Sequence, residues 1–171
     1  IESKKIRFEG NGYGQEWVDE AARRGLPNIQ NAIEAFKTFL LDSSKDLLNR
    51  NNILTLRELE ARYEIRNEIF LKKVQIEARV IGDLAINHII PTAIAYQNIL
   101  ISNVKGLKEL FPKEYEKLAN HQLNLLQEIS EHIHEIRKQV DEMIEYRKEA
   151  NLVEDVVERA HLYAKNVRPY I

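Results

Sequence analysis

The chain has 171 residues, of which 44% are hydrophobic and 30% are charged, and its formal net charge is −2. This composition is typical of a folded domain rather than a disordered one. The near-neutral charge argues against binding of nucleic acid by bulk electrostatics. A sequence without cysteine has no disulfides, no thiolate catalysis and no cysteine-type zinc site.

The first third of the sequence predicts a linker followed by short helices. Residues 1–14 form the linker, and its glycine-rich run lacks the Lys-Ser/Thr ending of a phosphate-binding P-loop. Apolar spacing predicts helices at residues 15–24 and 31–41, with a third short helix before residue 54. Gly25 is placed to cap the first of these helices.

A single long helix is predicted from Thr55 to Phe111. Thr55 and Glu58 form a capping-box signature at its start, in which each side chain reaches the other residue's N–H. A helix of roughly 50 residues is about 75 Å long, so it organises the rest of the chain. Its inward residues recur at the helical period: Leu59, Tyr63, Phe70, Val74, Ile81 and Ala85.

The middle of this helix, residues 76–101, is apolar on nearly all faces, which predicts burial on most sides. Its charged and amide side chains favour the core of a soluble protein over a membrane span. Arg79, Asp83 and Asn87 are four residues apart and form one polar row. We interpret this row as structural, with a ligand site as the alternative. Pro91 predicts a kink rather than a stop.

The last third predicts two more long helices. The first begins at Phe111-Pro112 and covers residues 113–149, since proline is favoured in a first helical turn. Asn151 with Glu154 would cap the last helix, which ends at residues 168–169. The seam of the first has coiled-coil spacing: Leu126, Ile129, Ile133, Ile136, Val140 and Met143.

These elements predict an all-α fold, a coiled-coil-like antiparallel bundle of three long helices preceded by short ones. The bundle covers residues 55–171, the short helices 15–54, and together they form one domain. Gly106 is expected to end or loosen the long helix.

Two Glu-x-x-His pairs offer a metal-binding alternative, Glu131 with His134 and Glu158 with His161. In di-iron helix bundles such pairs point inward and share a metal pair. Here both pairs fall at outward heptad positions, which predicts solvent exposure. The sequence therefore favours a structural or interaction module over a di-iron protein, and it assigns no catalytic, cofactor-binding or metal-binding residue.

Several strings of the sequence carry a family resemblance. Residues 7–13, 16–18 and 24–28 read Arg-Phe-Glu-Gly-Asn-Gly-Tyr, Glu-Trp-Val and Arg-Gly-Leu-Pro-Asn, and residues 85–94 read Ala-Ile-Asn-His-Ile-Ile-Pro-Thr-Ala-Ile. They resemble type III glutamine synthetases, the large bacterial form of that enzyme, from the end of the catalytic core into the C-terminal helical domain. Gly14 departs from the expected Ser. Further similar strings lie at residues 60–64, 75–79, 96–98, 103–109 and 167–170.

The resemblance implies a parent enzyme that ligates ammonia to glutamate with ATP through γ-glutamyl phosphate. Mg or Mn would serve that reaction. It also implies that the nucleotide, metal and glutamate residues lie upstream of Ile1, so this chain would be inactive alone. The expected parent is a cytoplasmic homo-oligomer, and the expected partners are its own catalytic core and neighbouring subunits, without nucleic acid or membrane.

The first residue is Ile rather than Met, and we expect a piece of a longer protein, truncated at both ends. One alternative is a free-standing helical scaffold or signalling module. The other is the di-iron protein considered above. We expect the polar row to stabilise the bundle or its docking rather than to take part in catalysis.

Overall fold

A computed structural model describes residues 6–171, and every regular element among them is a helix, as the all-α prediction requires. The chain forms two compact units, Ile1–Tyr63 and Glu64–Ile171. Residues 1–5 of the predicted linker lie outside the described part of the chain. The predicted division at residues 14 and 54 stays a prediction.

The first unit is built from short helices. They are α1 (Gln15–Arg23), α2 (Ala32–Lys37) with a 3₁₀ turn at Thr38–Leu40, and α3 (Asp42–Arg50). The side chains of Ala21, Ile33 and Leu59 are almost fully buried within this unit. The predicted short helices are therefore confirmed, with small changes at their ends.

Glycine ends α1 as predicted. Gly25 has a φ of +67°, in the left-handed region that favours glycine. Its N–H donates to the Ala22 carbonyl at 3.0 Å, and the N–H of Leu26 donates to the Ala21 carbonyl at 2.9 Å. These two bonds form a Schellman motif, which satisfies carbonyls that the helix end would otherwise leave unpaired.

The long helix is confirmed as one continuous helix of 55 residues, Leu56–Leu110. It consists of α4 (Leu56–Leu84), a π-helical turn (Ala85–Ile89) and α5 (Ile90–Leu110). The capping box is present, because the Thr55 N–H donates to Glu58 Oε2 at 2.8 Å and the Glu58 N–H donates to Thr55 Oγ1 at 3.3 Å. Gly106 does not end the helix, since α5 continues to Leu110, and the alternative that it loosens the helix stays a prediction.

The π-helical turn lies directly before Pro91. Proline lacks the N–H that would bond to the preceding turn. In the wider turn the Ile90 N–H donates to the Ala85 carbonyl, five residues earlier. The helix therefore passes through Pro91 without stopping, as predicted, while the kink stays a prediction. A local π-helical turn is one of the recognised ways to accommodate such a residue.

The second long helix, α7 (Asn120–Asn151), begins later than predicted. A turn and the single-turn helix α6 (Tyr115–Leu118) occupy the segment where we expected its first two turns. The predicted seam is confirmed: Val140 and Met143 are buried, and the other seam residues are half-buried.

Hydrogen bonds show that α7 runs antiparallel to the long helix. Gln97 Nε2 donates to the Leu126 carbonyl at 3.2 Å and to Ser130 Oγ at 2.8 Å. Gln75 Nε2 donates to Asn151 Oδ1 at 3.4 Å. Residue numbers thus fall along one helix as they rise along the other.

The last helix of the bundle is shorter than the other two. It comprises α8 (Val156–Leu162), a π-helical turn (Tyr163–Val167) and a 3₁₀ turn (Arg168–Tyr170). The predicted cap at Asn151 is wrong, because α7 extends through this residue. Asp155 caps α8 instead, and its side chain accepts a hydrogen bond from the Glu158 N–H at 2.7 Å.

Burial of the long helix is one-sided, which corrects the prediction for residues 76–101. In that segment Ala78, Ala85 and Leu100 are buried, whereas Ile76 and Ile99 are more than 60% exposed. In the second unit α7 and the C-terminal turns pack on one side only. By length and composition alone the helix could cross a membrane, and 11% of its most apolar 18-residue window is buried.

Candidate functional site

The predicted polar row lies on the exposed side of the long helix. Arg79, Asp83 and Asn87 are all exposed, and Asn87 Nδ2 donates to Asp83 Oδ1 at 2.7 Å. This hydrogen bond therefore joins two of the three residues of the polar row. Because these side chains are in water, they carry no burial penalty that would require partners. The row is a polar surface feature rather than part of the core.

An open apolar cavity of about 180 Å³ lies on the opposite side, in the second unit. It opens beside the π-helical turn that precedes Pro91. This volume is smaller than the pockets that usually hold small molecules, about 300–1,000 Å³. Its lining comes from the long helix, α7 and the C-terminal turn: Ile81, Ala85, Ile89, Ile136, Gln139, Val140, Met143 and Tyr170.

Tyr170 forms the polar edge of this cavity. Its hydroxyl donates to Glu142 Oε2 at 3.1 Å, and its ring centroid lies 5.8 Å from that of Tyr146. Burial, followed by the hydrogen bond to Glu142, raises the pKa of Tyr170 to about 12. The neutral phenol donates a hydrogen bond that joins the C-terminal turn to α7.

Sequence reasoning missed both the cavity and the Tyr170–Glu142 bond. The small residue Gly82 was a usable signal: a Cβ placed there would lie 3.3 Å from Met143 Cε. Such close contact shows that the two helices approach tightly at this level. The cavity opens beside this contact, near the wider π-helical turn.

The Glu-x-x-His pairs do not converge. Glu131, His134 and Glu158 are exposed, as the heptad positions predict, and His161 is half-buried. Within residues 6–171 there is no group of three or more His, Cys, Asp or Glu side chains that could hold a metal ion. The described residues therefore offer no donor set of the kind that a di-iron centre needs.

The glycine-rich run folds as a tight turn against α1. Asn11 Oδ1 accepts from the Tyr13 N–H at 3.0 Å, and the Asn11 carbonyl accepts from the Gly14 N–H at 3.0 Å. Just before this turn, the ring of Phe8 lies 4.7 Å from that of Trp17 in α1. The side chain and the backbone carbonyl of Asn11 thus accept hydrogen bonds from within the same loop, as expected for a structural turn.

Comparison with known proteins gives a consistent family. Residues 1–108 match the family model of the glutamine synthetase C-terminal domain. Over its whole length the chain is 45% identical to a glutamine synthetase from Bacteroides fragilis (strain YCH46), and the match covers 24% of that protein. Over 96% of its length it is 30% identical to a glutamine synthetase from Butyrivibrio fibrisolvens, and the match covers 23% of that protein.

A eukaryotic relative extends this pattern. Over 78% of its length the chain is 31% identical to the type-3 glutamine synthetase from Dictyostelium discoideum, and the match covers 18% of that protein. The chain thus spans about a quarter or less of the length of these relatives. The family match includes nearly all of the long helix and ends before α7.

Proposed function

Because the chain belongs to the glutamine synthetase C-terminal domain family, we propose that it is the helical assembly domain of a type III glutamine synthetase. The family match over residues 1–108 carries this proposal, and the 45% identity over the whole chain supports it. The parent would ligate ammonia to glutamate with ATP through γ-glutamyl phosphate. It would be a cytoplasmic homo-oligomer, and neither nucleic acid nor membrane would be a partner.

Nucleotide and metal are assigned to the rest of the parent enzyme. Mg²⁺ and Mn²⁺ prefer clustered oxygen ligands, and the part of the chain that the structure describes has no cluster of three carboxylate or imidazole side chains. The residues present therefore do not fit such an ion. Catalysis is accordingly placed outside this chain, and we expect the isolated chain to have no ligase activity.

We propose a docking role for the polar row. Arg79, Asp83 and Asn87 are exposed on the side of the helix away from α7, where an adjoining part of the enzyme could form hydrogen bonds with them. In this proposal they help to hold the domain in the assembled enzyme and do not contact substrate.

The docking role of the polar row is tested by the substitution Asn87→Ala in the full-length enzyme. We expect a lower melting temperature or partial loss of the assembled form, with unchanged turnover for the enzyme that remains assembled. Asn124→Ala is the matched control, because Asn124 is an exposed asparagine on α7. Reduced turnover with unchanged melting and assembly would contradict the docking role.

The assignment itself is tested by the native gene product. Immunoblotting of the host extract against this domain should detect a polypeptide several times larger than 20.0 kDa. The same purified polypeptide should form glutamine from glutamate, ammonia and ATP. A band near the mass of this chain, without glutamine synthesis, would instead support the free-standing scaffold or signalling module.

A further inference from the structure

Four large aliphatic side chains form an exposed row on the long helix, which we call the outer stripe. Ile65, Ile69, Ile76 and Val80 have relative exposures of 52%, 50%, 62% and 52%. They are four, seven and four residues apart, so they share one helix face. Exposed apolar rows of this kind are typical of surfaces that another molecule covers.

The outer stripe faces away from the packing within the second unit. The buried residues Leu71, Val74 and Ala78 are three and four residues apart, so they also share one face, on the other side of the helix. That inner side packs against α7 and the C-terminal turns. Asp83 is seven residues after Ile76, so the polar row continues the face of the outer stripe.

Charges of both signs border the outer stripe. Lys72 pairs with Glu68 at 2.9 Å, and Lys73, Glu77 and Arg79 are exposed nearby. Helices that lie on membrane surfaces instead have polar faces rich in Lys and Arg. An apolar centre with a mixed polar rim is the pattern of a protein–protein interface.

The charge at the centre argues against pairing with a second copy. A two-fold axis through the middle of the outer stripe would pass between Lys72 and Lys73. The lysines of the two copies would then face each other, and juxtaposed like charges oppose association. A partner that presents apolar side chains together with a carboxylate near Lys73 complements this surface better.

We propose that the outer stripe is the face on which the catalytic part of glutamine synthetase packs. This inference rests on the proposed function. Each relative extends far beyond the matched region, which makes up 24%, 23% and 18% of their lengths. That remaining polypeptide is large enough to cover the stripe, and Asp83 and Asn87 would supply polar contacts at its edge.

Site-specific photo-crosslinking of the full-length enzyme tests this proposal. A benzophenone amino acid replaces Ile76, and in a matched control it replaces His134, which is exposed on α7. The Ile76 probe should crosslink to peptides outside this 171-residue segment, at several times the yield of the control. Crosslinks to the same segment of a second copy, or a yield equal to the control, would overturn the proposal.

Two further measurements separate this proposal from the assignment on which it rests. Glutamine synthesis by the unmodified enzyme is measured in parallel, so an active enzyme without the expected crosslink overturns the docking face alone. A full-length product without glutamine synthesis overturns the proposed function. Lys73→Glu should reduce the Ile76 crosslink several-fold if a carboxylate faces Lys73, whereas an unchanged yield would refute that complementarity.

Discussion

The hydroxyl of Tyr163 donates to Asn151 Oδ1 at 2.9 Å, which joins the last residue of α7 to the first residue of the C-terminal π-helical turn. Tyr163 is fully buried, and Gln75 Nε2 lies 3.4 Å from the same asparagine oxygen. One amide oxygen therefore accepts from both the long helix and the C-terminal turn. This shared acceptor connects three elements of the second unit.

Tyr163→Phe should lower the free energy of unfolding by about 1 kcal/mol, the usual net value of a hydrogen bond. The ring would still fill its site, and Asn151 would keep the contact with Gln75. Tyr163→Ala should cost about 3–5 kcal/mol, because a large cavity would remain. Urea unfolding of the chain measures both values, with Tyr13→Phe as the control at a fully exposed tyrosine. Equal losses of unfolding free energy for Tyr163→Phe and Tyr163→Ala would contradict a separate contribution from packing of the ring.

Periodicity was enough to predict the inner face of the long helix. Leu59, Val74 and Ala85 are each 5% exposed or less, as their spacing indicated. A helical period depends only on residues close in sequence, so a single sequence reveals it. The same holds for the capping box at Thr55 and for the seam of α7.

The C-terminal cap was not predictable from local pattern. Asn151 with Glu154 and Asp155 with Glu158 both fit a capping signature. The choice depends on where α7 ends, and Tyr163 stabilises Asn151 as part of α7 through a contact twelve residues away.

The exposure of Ile76 and Val80, two members of the outer stripe, was unpredictable for a different reason. The apolar content of residues 76–101 indicated burial, but the second unit provides packing partners for only one side of the helix. Hydrophobicity shows that a surface favours removal from water, and it does not show whether the covering element lies in the same segment. The polar row likewise lies on the side of the helix that α7 and the C-terminal turns leave uncovered.

The capping box should make stability depend on pH. The Thr55 N–H and hydroxyl donate to Glu58 and hold the pKa of its carboxyl below the usual value. A lowered folded-state pKa contributes stability above the unfolded-state pKa, and this contribution is lost as pH falls through the folded-state pKa. Glu58→Gln should therefore destabilise the chain at neutral pH, and the difference from wild type should shrink in acid.

Chemical unfolding of wild type and Glu58→Gln, from neutral pH into acid, measures the difference in their free energies of unfolding. Thr55→Ala should cost about 1 kcal/mol at neutral pH, because it removes the N-cap acceptor. Glu60→Gln is a suitable control at an exposed position two residues further along α4. A wild-type advantage over Glu58→Gln that stays constant into acid would contradict the role of the charged carboxylate.

Two helical glycines provide a matched test of helix packing. A Cβ added at Gly106 would meet open space, whereas a Cβ at Gly82 would lie 3.3 Å from Met143 Cε. Gly106→Ala should stabilise the chain by about 1 kcal/mol through helix propensity. Gly82→Ala should stabilise it less, because the Met143 side chain must move by a few tenths of an ångström. Equal stabilisation in thermal or urea unfolding would show that the helices have room at this point.

The phenol of Tyr170 should titrate with a pKa of about 12. Because the folded state keeps the phenol neutral, the unfolded chain ionises first, near the ordinary pKa of 10.0, and stability falls as pH rises above that value. Glu142→Gln should lower the pKa but leave it above 10.0, since burial is the larger cause. NMR of the tyrosine Cζ signals measures this, with Glu145→Gln as the control one turn along α7. A wild-type midpoint near 10.0 would contradict the half-buried, hydrogen-bonded phenol.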